Sequence, residues 1–292
     1  MVRFRIELVS CLAALAMHVP LRAADSGLSD WFEPVEPVHI AGPIYYVGTR
    51  ELGAYLITTP EGHVLIDGAM PTSAASIEAS IEKLGFHPKD IRILLITHAH
   101  IDHVGTLAHF KKLTGASVQV VAPEDALLAS GGTTDYLYAT DPQLRFDPVK
   151  ADRVLTDGAI VEIGGIALEA HHTPGHTRGC TTWTTTIGDA GRPYTVVFTG
   201  STSINPGTQL GGEHPSYPGI ADDYARSLAT LEALTPDIFL APHASFFGFA
   251  EKRERAAAEG VAAFVDPEGF RNAIAASKRA FEEARTPLKT LP

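Results

Sequence analysis

The pattern of hydrophobic and polar positions runs twice through the same grammar, strands first and helices after. In the first half, Ile44 to Val47, Ala54 to Thr58 and Val64 to Ile66 are β-branched or aromatic runs bounded by Gly and Pro, which predicts the short strands of a meander. Ser73 to Leu84 places apolar residues at Ala74, Ile77, Ile81 and Leu84, a helical period opened by Pro71-Thr72-Ser73. Ile91 to Ile96 is apolar apart from Arg92 and predicts a buried strand. A helix over Val104 to Leu113 and a strand over Ser117 to Ala122 follow. The second half predicts strands over Val161 to Ala170, Thr181 to Ile187 and Tyr194 to Thr199. An amphipathic helix over Tyr224 to Leu234, a buried strand over Ile238 to Ala241 and helices over 251–264 and 267–285 come next. Such a repeat of layout, without a repeat of residues, predicts an α+β chain with two sheets face to face and helices outside. Asp25 to Pro37, polar and Pro-containing, reads as an irregular arm carrying exposed Trp31 and Phe32.

The first two dozen residues break this grammar. Arg3 and Arg5 precede a mostly apolar run from Leu8 to Val19, and Leu21-Arg22-Ala23-Ala24 then supplies small residues. That order is a secretory signal peptide over residues 1–24, too short to span a bilayer, with cleavage expected after Ala23 or Ala24. A single domain over 25–292, built from two αβ halves, is expected in the periplasm. Leu8-Val9-Ser10-Cys11 has the look of a lipoprotein box but precedes most of the apolar run, which argues against lipidation. Cleavage removes Cys11 and leaves Cys180 alone, so no disulfide within the chain is expected and Cys180 reads as a small buried hydrophobe. With 45% hydrophobic and 20% charged residues the chain is not disordered. A net charge of −11, moving to −13 with the leader gone, excludes a nucleic-acid partner. A monomer is the default expectation.

The chemistry concentrates after the strand ending at Ile96. His98, His100, Asp102 and His103 put four potential ligands within six residues. Imidazole and carboxylate together suit a borderline divalent ion such as zinc. A solvated polar loop is the plain alternative, but three His and an Asp directly after an apolar strand disfavour it. Extended spacing puts positions 98, 100 and 102 on one side and turns His103 elsewhere, so two adjacent ions are the natural reading. His176, in the tight turn Thr173-Pro174-Gly175-His176-Thr177, and His243, after Ile238-Phe239-Leu240-Ala241-Pro242, are displayed just past strands in the same way. His171 and His172 compete with His176, but a continuing strand places them in or near the core. His39, His63, His87 and His214 read as surface, and His109 as a helix residue that packs or faces water.

Leu65-Ile66-Asp67-Gly68, the H-x-H-x-D-H cluster, Thr173-Pro174-Gly175-His176-Thr177 and Pro242-His243, in this order, resemble the metallo-β-lactamase superfamily over most of the mature chain. The resemblance implies a four-layer αβ/βα sandwich of two mainly antiparallel sheets with helices on the outer faces, and metals at the edge between the sheets. Most non-lactamase members carry a metal-bridging Asp in a Thr-Gly-Asp context after a strand; here Thr199-Gly200 is followed by Ser201. Ser201 with an intact cluster, Gly175 to Trp183, and Asn205-Pro206-Gly207 are similar to the third subclass of zinc β-lactamases. Carried over position by position, His98, His100 and His176 would bind the first of two zinc ions, and Asp102, His103 and His243 the second. The implied activity is hydrolysis of the amide bond of small-molecule β-lactam antibiotics by hydroxide held at the metals, which confers resistance. Asp102 would orient the hydroxide, and Ser201 and Ser203 would contact the substrate carboxylate. Two departures stand out: Thr208 takes the place of a Tyr found in several relatives, and a disulfide many relatives have would fall at Pro236 and Phe270, where no Cys stands. The last helix is therefore expected to dock through Phe264, Phe270, Ile274 and Phe281. Two other readings compete. One is a superfamily hydrolase of another ester, lactone or thioester, which Ser201 argues against. The other is a periplasmic zinc-binding protein, which would want saturated coordination where six ligands over two ions leave positions open.

Overall fold

Period-two burial decides the architecture. In β4 (His63–Ile66) and β5 (Ile91–Leu95), Val64, Ile66, Ile93 and Leu95 pack into one hydrophobic cluster, while Leu65 and Leu94 pack into another. Successive strand side chains point to opposite faces, so this sheet is buried on both sides. The computed structural model describes residues 27–285; the expected leader and its lipobox-like segment lie outside the described residues.

The first sheet runs β1 (Val38–Ala41), β2 (Ile44–Tyr46), β3 (Tyr55–Ile57), β4, β5, β6 (Ser117–Val121), β7 (Arg153–Leu155) in chain order. The second comprises β8 (Ile160–Ile163), β9 (Ile166–His172), β10 (Thr181–Asp189), β11 (Arg192–Phe198) and β12 (Ile238–Leu240), with β12 beside β11 at one edge and β8 at the other. Residues of both sheets, among them Tyr55, Ile66, Trp183, Val196 and Phe198, share the central cluster. Helices α1 (Ala74–Lys83), α3 (Leu107–Thr114) and α4 (Glu124–Ser130) cover the outer face of the first sheet through Ile77, Ile81, Leu107, Phe110 and Leu128. A short α2 (Ile101–Val104) lies between α1 and α3 in the chain. Helices α5 (Ile220–Ala233) and α7 (Pro267–Arg285) pack on each other beside the second sheet, and α6 (Phe249–Glu259) reaches back to β1. The four-layer sandwich is as expected, and Phe264, Phe270, Ile274 and Phe281 are all buried as the docking face. Cys180 is likewise buried.

Several elements differ from the expectation. The first sheet is evenly mixed: pairings up to β4 are antiparallel and those from β4 to β7 parallel. The stretch from Val161 to Ala170 is a hairpin, turned by Gly164 and Gly165 at φ of 52° and 87°, values that favour glycine. Edge strands β1 and β7 and helix α4 carry too little periodicity to be foreseen. Helix α6 stops at Glu259, and Gly260 to Ala263 form a 3-10 turn. His63 is buried, not at the surface, with its ring against Phe86 at 5.3 Å. The arm holds a 3-10 turn over Leu28–Trp31, and Trp31 is half-buried.

Two bonds stitch the sheets where the ligand-bearing loop leaves β5. Trp183 Nε1 donates to the Ile96 carbonyl at 3.0 Å, and the Thr181 N–H donates to the Thr97 carbonyl at 2.8 Å. Among the described residues no helix is long and apolar enough to cross a membrane.

Candidate metal centre

His98 and His100 stand two residues apart on extended chain after β5 and project to the same side. At Ile101 the backbone turns helical, so Asp102 and His103 sit in the first turn of α2. This corrects the expectation that Asp102 shares a side with His98 and His100: the helical turn breaks the alternation of an extended chain, so Asp102 leaves their side and groups with His103. His176 comes from the turn between β9 and β10. There Gly175, at φ 139°, approaches so close to Tyr224 that an added Cβ would lie 2.8 Å from its ring. His243 follows β12 and is fixed through Pro242, whose carbonyl accepts from the Gly53 N–H at 2.8 Å.

The structure brings these six residues together as two groups. The donor atoms of His98, His100 and His176 lie within 4.8 Å of one another, as do those of Asp102, His103 and His243. The groups adjoin, with the His98 and His103 ring centroids 4.2 Å apart. In the second group, His103 Nε2 and His243 Nε2 converge on the same Asp102 oxygen at 3.2 and 3.5 Å.

The donor set fits divalent ions. One nitrogen of each ring in the first group is engaged from behind. His98 Nδ1 meets Thr97 Oγ1 at 3.1 Å, His100 Nε2 meets Asp135 Oδ2 at 3.2 Å and His176 Nδ1 meets the Ser203 carbonyl at 2.8 Å. Such partners orient an imidazole and leave its other nitrogen free to bind metal. In the second group His243 Nδ1 faces Glu51 Oε1 at 3.4 Å. His103 Nδ1, buried and without a hydrogen-bond partner, faces Asp67 Oδ2 at 3.7 Å. Protonation agrees. Burial, and then the neighbouring imidazoles, holds His98 well below its ordinary pKa and brings His176 to about 3, so both are neutral. Burial opposes the charge on Asp102, but His103 and His243 outweigh it and the carboxyl ionises well below the usual range. Burial likewise opposes the charge on His243 and His100. The Asp102 and Glu51 carboxylates still lift His243 to about 9, and Asp135 raises His100.

A cleft of about 440 Å³ opens onto the groups, lined by His100, Asp102, His176 and His243 together with Trp31, Ile101, Phe246, Ser201 and Ser203. Ser201 Oγ accepts from the Ser203 N–H at 3.3 Å. His171 and His172 stay out of both groups, bonding Thr184 Oγ1 and the Arg178 carbonyl. Thr208 does not line the cleft. Tyr138 does, its hydroxyl accepting from Asn205 Nδ2 at 2.7 Å. Sequence reasoning missed Glu51, Asp135, Tyr138 and Glu124. Each acts on a residue distant in the chain, so no local spacing could have flagged it.

A family model described as the metallo-beta-lactamase superfamily matches residues 54–243. Among solved structures, the native metallo-beta-lactamase from Legionella gormanii is 43% identical, with a TM-score of 0.84 over 86% of this chain and 95% of that one. A class B3 di-zinc metallo-beta-lactamase from an Alaskan soil metagenome is 34% identical, with a TM-score of 0.84 over 88% and 97% of the two chains. Among curated proteins, a probable metallo-hydrolase of Burkholderia pseudomallei is 28% identical over 56% of this chain and 55% of that protein. A hydroxyacylglutathione hydrolase of Pseudomonas aeruginosa is 35% identical over 37% of this chain and 33% of that protein. The chain thus spans about half or less of the length of these curated relatives.

Proposed function

The chain belongs to the metallo-beta-lactamase superfamily, and from that premise we propose that it hydrolyses the amide bond of β-lactam antibiotics with two zinc ions, as an exported, periplasmic resistance enzyme. The observation that carries the reading is Ser201. It stands just past β11, buried and lining the cleft, at the place where many members of the superfamily have a metal-bridging carboxylate. A hydroxyl there adds neither charge nor a strong ligand, so the two groups remain separate three-ligand sites with positions open to substrate. Similarity over more than four-fifths of the chain to solved β-lactamases points the same way.

His98, His100 and His176 would hold the first ion, and Asp102, His103 and His243 the second. Bound there, divalent ions supply water acidic enough to ionise near neutral pH and an electrophile for the carbonyl. Asp102, ionised and facing the cleft, accepts a hydrogen bond from the attacking water, takes its proton as the C–O bond forms, and passes that proton to the amide nitrogen as the C–N bond breaks. Ser201 and Ser203 offer hydroxyl donors to the substrate carboxylate. Among the described residues no lysine or arginine lines the cleft, so these neutral groups bind it together with whatever charge the metal site contributes.

The second reading, hydrolysis of a thioester or lactone, is favoured by the match to a hydroxyacylglutathione hydrolase over its shorter span. Steady-state assay of the zinc-loaded chain on a penicillin, a cephalosporin, a carbapenem, an acyl lactone and a glutathione thioester separates the two. Turnover of a β-lactam, lost in Asp102→Ala while the fold persists by circular dichroism, is the expected result. Turnover confined to the lactone or thioester sinks the proposal.

A further inference from the structure

Glu124, the first residue of α4, is 1% exposed, and no lysine or arginine pairs with it among the described residues. A buried carboxylate is costly unless its lone pairs are taken. Here three donors take them. Oε1 accepts from the Ala99 N–H at 2.6 Å and the Thr177 hydroxyl at 2.8 Å, and Oε2 accepts from the Gly179 N–H at 2.8 Å. Ala99 stands between His98 and His100; Thr177 follows His176. One oxygen therefore grips a neighbour of every histidine in the first group, across two loops that belong to different halves of the molecule. Gly179 makes the approach possible: a Cβ there would lie 2.4 Å from the Glu124 nitrogen. The second group receives no bond from this carboxylate.

From this geometry we infer that Glu124 is a positioning residue for the first metal site alone, setting the separation of the His98–His100 loop from the His176 loop. The inference rests on the two-metal reading above. Glutamine at 124 keeps the shape of the side chain but turns an amide N–H towards at least one of the three donors and removes the charge that strengthens the other bonds, so its hold on the two loops is weakened. An aspartate lacks the reach.

The test is zinc affinity, read by competition with a chromophoric chelator on metal-free protein. Glu124→Gln is placed in a His243→Ala background, where only the first site is intact, and in a His98→Ala background, where only the second is. A tenfold or greater loss is expected in the former, the range seen when an outer-sphere partner is removed, and no measurable loss in the latter. Equal losses at both sites would show a merely structural role and overturn the inference, as would an unchanged first site. Thr177→Val deletes one of the three bonds and leaves the carboxylate, so it decides the matter if Glu124→Gln does not fold. A smaller loss confined to the first site is expected, and full affinity there overturns the inference. A wild-type chain that binds no zinc defeats the two-metal reading instead.

Discussion

Replacing Asp67 by Ala should destabilise the metal-free protein by several kcal/mol, whereas Asp67→Asn should cost little. Asp67 follows β4 at φ 58°, fully buried, and receives two bonds from Thr97: its N–H on Oδ1 and its hydroxyl on Oδ2, both at 2.7 Å. Alanine removes both acceptors. The stranded Thr97 N–H, left unsatisfied, costs about 1–3 kcal/mol. The hydroxyl loses less, because it can turn to His98 Nδ1 at 3.1 Å. Holding alanine in the left-handed region adds about 1 kcal/mol. Together these give about 2–5 kcal/mol, a large part of the ~5–15 kcal/mol a domain has. Asparagine can still accept the N–H on its carbonyl, donate to the Thr97 oxygen through its amide, and tolerate the backbone, so its cost should stay below about 1 kcal/mol. Urea unfolding of the metal-free variants, followed by fluorescence of the buried Trp183, measures both. Equal losses in the two variants would refute the account, because it locates the energy in acceptor geometry and not in charge.

Two further outcomes follow from the structure. Stripping metal with a chelator should abolish turnover and lower the melting temperature, because ions that bind only the folded site stabilise it by mass action. Restored zinc should recover both, and turnover that survives complete removal would count against the metal reading. Asp266 caps α7, accepting from the Gly269 N–H at 2.8 Å, and pairs with Lys252 at 2.8 Å. Partial burial opposes its charge, but Lys252 and the cap outweigh it and hold the carboxyl below its usual range. A depressed pKa contributes stability above the unfolded value of ~3.9 and loses it as pH falls through the folded value. Asp266→Ala should therefore cost about 1 kcal/mol near pH 7, and its gap from wild type should narrow below pH ~3.9. A gap as wide at pH 3 as at pH 7 would count against the pairing.

How much of this was legible depended on whether the signal was local. The apolar run Ile91 to Ile96 and the cluster behind it mark a strand end bearing ligands, and the structure puts a strand end there. His176 and His243 were legible for the same reason, each standing past a strand in a turn stiffened by proline. The turn of the chain at Ile101 was not legible. Two residues decide between an extended and a helical continuation, and the bonds that settle it are donated by the His103 and Val104 N–H groups to the His100 carbonyl. The groups behind the ligands were invisible for another reason. Glu51 and His243 are 192 positions apart, and Glu124 is 55 from Gly179; their roles exist only once the loops meet.

The division of the candidate ligands between halves gives the site its dependence on the whole fold. The first sheet supplies His98, His100, Asp102 and His103, and the second supplies His176 and His243, so each three-ligand group is complete only when the sheets are docked. The seam at that edge is polar and specific: Trp183 bonds the Ile96 carbonyl, Thr181 bonds Thr97, and Glu124 spans Ala99 to Gly179. These bonds add order to an interface whose adhesion comes from the central cluster. Hydrophobic packing alone would tolerate sliding by a fraction of an ångström, which a metal site does not. The buried polar groups at the seam thus do for the ligands what the apolar core cannot: they fix the relative position of two loops that share no sequence and no strand.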